Sequence, residues 1–91
     1  MEEKTPATFS NNAAPAAPTL TFGQKAVGLT FNPSGDDAVA KCKQMFADAI
    51  DQMHDLRTGN PNAGQCRHAS TAITMLEDAQ MRAVKALTWR D

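Results

Sequence analysis

Tyrosine is absent from this chain of 91 residues, tryptophan occurs once, and aromatic residues make up only 5% of it. Hydrophobic residues reach 42%, but much of that is alanine, so large core-forming side chains are scarce. The length allows one domain at most, and a lone domain this small buries little of its surface and is marginally stable. Cysteine is scarce as well. Cys42 and Cys66 exclude a dense disulfide scaffold, and no Cys-x-x-Cys spacing marks a metal site. If two long helices pair antiparallel about residue 60, the two thiols lie at different heights; they then read as small buried residues in a reducing cytoplasm. His54 and His68 have no third or fourth ligand at helical spacing, so no metal is expected. His54 beside Asp55 makes no catalytic pair, because adjacent helical residues point apart. No Ser-His-Asp or Cys-His arrangement and no glycine-rich P-loop stands out, so neither a catalytic residue nor a cofactor is predicted. A basic excess is missing too: the net charge is −1, which argues against a general DNA binder. Met1-Glu2-Glu3-Lys4 is followed by no apolar run, and no stretch is long enough to span a bilayer. The reading expects no signal peptide, no membrane partner and a soluble protein that stays in the cell where it is made.

What is present falls into three parts. Residues 1 to 18, rich in Ala, Pro, Asn, Ser and Thr and punctuated by Pro6, Pro15 and Pro18, read as a disordered arm. Residues 19 to 34 read as an extended segment and turn. Leu20, Phe22, Val27, Leu29 and Phe31 alternate roughly by two, which suits a strand-like stretch lying across helices or a neighbouring subunit. Pro33 holds Asn32 extended, and Ser34 with Asp37 reads as a capping box at the start of a helix. Residues 35 to 91 read as a helical hairpin. Its first helix spans about 35–58, with Val39, Cys42, Phe46, Ala49, Met53 and Leu56 in 3-4 spacing, widened by Met45 and Ile50. Gly59 stops it, Asn60-Pro61-Asn62 makes the turn, and a second helix spans about 62–89. That helix carries a seam of Ala69, Ile73, Leu76, Ala83 and Leu87, while Met75, Met81, Val84 and Trp89 fall on other faces. One partner helix cannot cover so wide an apolar surface, which predicts contact with other copies of the chain. The predicted fold class is therefore all-α, a two-helix antiparallel hairpin behind an extended, partly disordered segment, assembled as a homo-oligomer.

The Phe31-Asn32-Pro33-Ser34 turn, the long helix, the short loop and the ending Met81-Arg82-Ala83-Val84-Lys85-Ala86-Leu87-Thr88-Trp89 resemble a family of small bacteriophage proteins. These are the anti-CBASS cyclic-nucleotide sponges, whose helical hairpin is shared with the phage antagonists of Thoeris signalling. The resemblance covers about residues 25 to 90. The family often has Met-Trp-Ala-Val-Lys-Ala near its C-terminus, and Arg82 stands here in place of that Trp. The resemblance implies a compact homohexamer with pockets between subunits that capture cyclic di- or trinucleotides without cleaving them. It implies that Phe31, where better-known members carry Tyr, stacks on a base. It further implies ligand contacts from a basic residue on the first helix, Lys43 or else Lys41, and from Arg67 and Thr74 on the second. It places the protein in the cytoplasm of the infected bacterial host.

Each candidate also has a plainer reading. Phe31 can be an apolar staple over the first helix, or a ring for stacking, worth about 1–3 kcal/mol per base. Asn32 and Ser34 can shape the turn and cap the helix, or donate to a phosphate or base edge. Lys41 and Lys43 can line a solvated face. Arg67, beside His68, sits where the helix dipole disfavours a cation, which favours an anionic partner for it. Arg82, Lys85 and Arg90 read as salt-bridge partners of Glu77, Asp78 and Asp91. Two functions therefore stand beside each other: a sponge for cyclic oligonucleotide messengers, and a small helical structural or adaptor protein of a phage with no small-molecule ligand. An enzyme that degrades the messenger is the third.

Overall fold

A computed structural model of the chain describes residues 19–59 and 62–91. The arm read over residues 1 to 18, and Asn60 and Pro61 of the predicted turn, lie outside the described residues. Three helices follow in order: α1, Phe22–Ala26; α2, Asp37–Thr58; and α3, Ala63–Leu87. All regular structure among the described residues is helical. α2 packs against both α1 and α3, so it is the central element.

The segment read as extended holds α1 instead. Thr21 caps it by a full capping box: its Oγ1 accepts from Gln24 N–H at 3.1 Å, and Gln24 Oε1 accepts from Thr21 N–H at 2.9 Å. That reciprocal pairing satisfies two free donors and outweighs the alternation of apolar residues. Gly23 lets α1 lie directly on α2, since a Cβ there would fall inside the Ala47 carbonyl and 2.9 Å from Asp51 Oδ1. Asp51 fixes the contact by accepting from Gly23 N–H at 2.6 Å. Phe22 stacks on His54 with centroids 4.1 Å apart, and the Arg57 guanidinium lies 5.1 Å from the Phe22 ring.

α2 starts two residues after the predicted boundary, and Ser34 is not its cap. Asp36 is: its carboxylate accepts from Ala38 N–H at 2.8 Å. Gly35 takes a left-handed φ of 64°, which turns the chain and delays the helix. Ser34 serves the turn instead, donating to Asn32 Oδ1 at 3.0 Å and accepting from Asp36 N–H at 3.3 Å. Asn62 caps α3 by accepting from Gln65 N–H at 3.0 Å.

The buried line of α2 is Val39, Lys43, Ala47 and Ile50, one residue around from the predicted seam. Cys42, Phe46, Ala49, Met53 and Leu56 are half-buried, and Met45 is exposed. α2 is covered from two sides, so its deepest stripe lies between the face toward α1 and the face toward α3. On α3, Ala69, Ile73 and Gln80 are buried, whereas Leu87, read as part of the seam, is exposed. The centre of the core joins Val27, Ala47, Ile50 and Ile73, with Leu29, Phe46, Met53 and Leu76 packed around it. Both cysteines are half-buried rather than buried, and Cys66 Sγ donates to Arg57 O at 3.3 Å.

Candidate functional site

The turn between α1 and α2 hangs over the end of the hairpin where α2 begins and α3 ends. Gly28, at φ 63°, reverses the chain after α1, and Phe31 N–H closes a turn on Gly28 O at 2.9 Å. Gly35 N–H closes the next on Asn32 O at 3.0 Å, and Asn32 Nδ2 donates to Asp36 O at 3.0 Å. Asn32 and Ser34 thus hold the turn in shape, and the Phe31 ring stands 71% exposed at its front.

Lys43 carries this turn from below. It is 4% exposed, and its Nζ donates to Gly28 O at 3.0 Å and to Phe31 O. The same Nζ lies 5.5 Å from the Phe31 ring centroid. An ammonium has three N–H donors, and two are taken by these carbonyls. Among the described residues no carboxylate pairs with Lys43, so its charge is met by two carbonyls and the Phe31 ring. A buried cation in that state favours an anion nearby.

Two basins share Phe31, Lys43 and Val84 as walls. The first, of about 460 Å³, adds Asn32, Pro33, Ser34, Val39 and Thr88. The second, of about 520 Å³, reaches toward α1 through Lys25, Val27 and Gly28, and adds Gln80 and Met81 from α3. Each is in the size range of small-molecule sites. Their polar groups are amide, hydroxyl and ammonium, and no carboxylate, imidazole or thiol lines either. The arrangement can stack a flat ring and neutralise negative charge.

Four of the seven nominated residues, Phe31, Asn32, Ser34 and Lys43, therefore wall one basin. Lys41 does not. It borders a separate apolar groove of about 510 Å³ with Cys42, Met45, Phe46 and Leu87. Arg67 and Thr74 sit on the first half of α3, exposed; the Arg67 guanidinium is 3.3 Å from His68 Nε2, and Thr74 Oγ1 donates to Ser70 O at 3.5 Å. A single chain does not bring them to the basin. Gln80 is the residue that the sequence reading missed. The seam of Ala69, Ile73, Leu76 and Ala83 leaves its own 3-4 slot at position 80, and a polar residue in that slot was the available signal. The salt bridges read for Arg82, Lys85 and Arg90 do not form among the described residues. Lys85 lies 5.9 Å from the Trp89 ring, Arg90 donates to Trp89 O, and Asp91 accepts from Trp89 Nε1. Exposed pairs on a helix contribute too little to hold long side chains together.

Fold and site together define a helical hairpin whose helix ends and leading turn enclose a ring-fronted, cationic recess. The chain belongs to the Acb2/Tad1 hairpin-domain family, whose model matches residues 24–88, from within α1 to the cap of α3. This is the family of the anti-CBASS sponges and Thoeris antagonists that the sequence resembles. No curated protein and no solved structure matches the chain.

Proposed function

We propose that the chain is a phage-encoded immune-evasion protein that sequesters cyclic oligonucleotide second messengers, such as 3′,3′-cyclic GMP-AMP, and leaves them intact. It lowers the free messenger in the cytoplasm of the infected host, so the CBASS effector stays idle. The observation that carries this reading is Lys43, a buried cation with a spare donor, directly behind the exposed Phe31 ring. A base stacks on the ring while a phosphate approaches the ammonium. A nanomolar site amounts to about −12 kcal/mol. Stacked bases and charge-assisted contacts from more than one subunit supply terms of that size after association costs. Membership of the family supports the ligand class.

The binding unit is a homo-oligomer, with six copies as the family resemblance implies. Met45, Met75, Met81 and Trp89 are each at least 60% exposed, on a chain with little core of its own. Arg67 and Thr74, distant from the basin in one chain, reach a ligand only from a neighbouring copy.

The test is the melting temperature with and without 3′,3′-cyclic GMP-AMP, cyclic di- and trinucleotides and cyclic ADP-ribose variants. A ligand at one hundred times its Kd adds about 2.7 kcal/mol, which raises the Tm of a domain this size by about 10 °C or more. Phe31→Ala should abolish most of that shift while leaving the ligand-free Tm close to wild type. No shift across the panel favours the second reading, a structural or adaptor protein of the phage, for which the exposed apolar side chains are the supporting observation. Heat-released ligand recovered intact excludes the messenger-degrading enzyme.

A further inference from the structure

Gln80 occupies a position where α3 otherwise buries apolar side chains. Only 5% of its surface is exposed, and among the described residues no hydrogen bond reaches its carboxamide. Folding normally removes such groups from cores, because a buried amide without a partner forfeits its hydration and gains nothing in return. Its place is informative. Gln80 lines the second basin, where Phe31 supplies the ring and Lys43 the cation. A carboxamide offers donors and an acceptor side by side, which matches an adenine edge with its N6 amine and N7. The corresponding guanine edge presents two acceptors, O6 and N7, and leaves the amide carbonyl facing a lone pair.

We propose that Gln80 is the specificity-determining residue of this site: its carboxamide reads the donor–acceptor edge of an adenine whose ring lies against Phe31. This rests on the sponge reading and extends it to base preference. The ligand-free protein holds the amide unpaired and ready, and the bound adenine satisfies it. The cost of the empty site is then recovered only by a base of the correct pattern, which is how a buried polar group discriminates between similar ligands.

The experiment compares wild type with Gln80→Met, which keeps length and burial but removes the amide. Affinities for 3′,3′-cyclic di-AMP and 3′,3′-cyclic di-GMP are measured by calorimetry, with ligand-free Tm and sedimentation recorded for both proteins. Wild type should prefer the adenine ligand by about tenfold or more, as one bidentate amide–adenine pair allows. Gln80→Met should bring the two affinities within about threefold of each other, chiefly by weakening the adenine ligand. Its ligand-free Tm should be equal or higher, since an unpaired amide has been removed. A preference that survives in Gln80→Met, or no preference in wild type, overturns the role of Gln80 and leaves the sponge reading standing. A lower ligand-free Tm or a changed sedimentation coefficient places the amide's partner within the fold or between copies, which also overturns the proposal. Wild type that binds neither ligand nor any other cyclic nucleotide removes the sponge reading and this inference with it.

Discussion

Lys43 shows how one side chain serves fold and site together. Its stem passes through the core side of α2, and its ammonium ties down two carbonyls of the turn that presents Phe31. Lys43→Met keeps the stem and deletes the tie. It should lower stability by about 1–3 kcal/mol, because two carbonyls lose a charged partner, and a urea melt checks this. It should also erase the ligand-dependent Tm shift, whereas the exposed Phe31 ring can be removed with little loss of ligand-free stability. Phe31, Asn32 and Ser34 were legible as neighbours because a turn is local in space; Lys43, which walls the same basin, was named only through the family resemblance. The residues alone favoured a solvated face for Lys43, since lysine is seldom buried and nothing local announces two waiting carbonyls. Lys41 lies away from the Phe31 basin for a geometric reason. At about 100° per residue, two positions along a helix face nearly opposite ways, and Lys41 turns to the apolar groove on the other side.

At the scale of elements, α1 is what the sequence reading got wrong and what the site depends on. Its five residues are held by a cap, one glycine contact, Asp51 and the Phe22–His54 stack. The Thr21-x-x-Gln24 signature was readable, but the alternating apolar residues pointed to a strand, and both patterns cannot hold. The docking of Gly23 on Ala47 was not readable at all, because it depends on a pairing 24 positions apart that only the assembled hairpin creates. Gly23→Ala should cost about 1–3 kcal/mol in chemical denaturation by pushing α1 off α2. Because Val27 and Gly28 follow directly, the same variant should also weaken ligand binding although position 23 lines neither basin. The two long helices were legible from their periodicity and from the stop at Gly59. Their rotation about their axes was not, since the deepest stripe of α2 is set by two neighbours at once.

At the scale of the molecule, Phe31, Met45, Met75, Met81, Leu87 and Trp89 all stand exposed among the described residues. Met45, 72% exposed, borders the groove that Phe46 and Leu87 also line. If the proposed homo-oligomer uses this groove, Met45→Glu should lower the sedimentation coefficient of the ligand-free protein, because burying a charge between copies is costly. The wide apolar surface of α3 was visible in the sequence, and it is what predicted contact with other copies. Native mass spectrometry of the protein mixed with 3′,3′-cyclic GMP-AMP tests the whole account at once. The account predicts a multiple of the single-chain mass carrying whole, unhydrolysed ligand, and the same assembly without ligand for Phe31→Ala. A bare single chain that retains no cyclic nucleotide at micromolar concentration would contradict it.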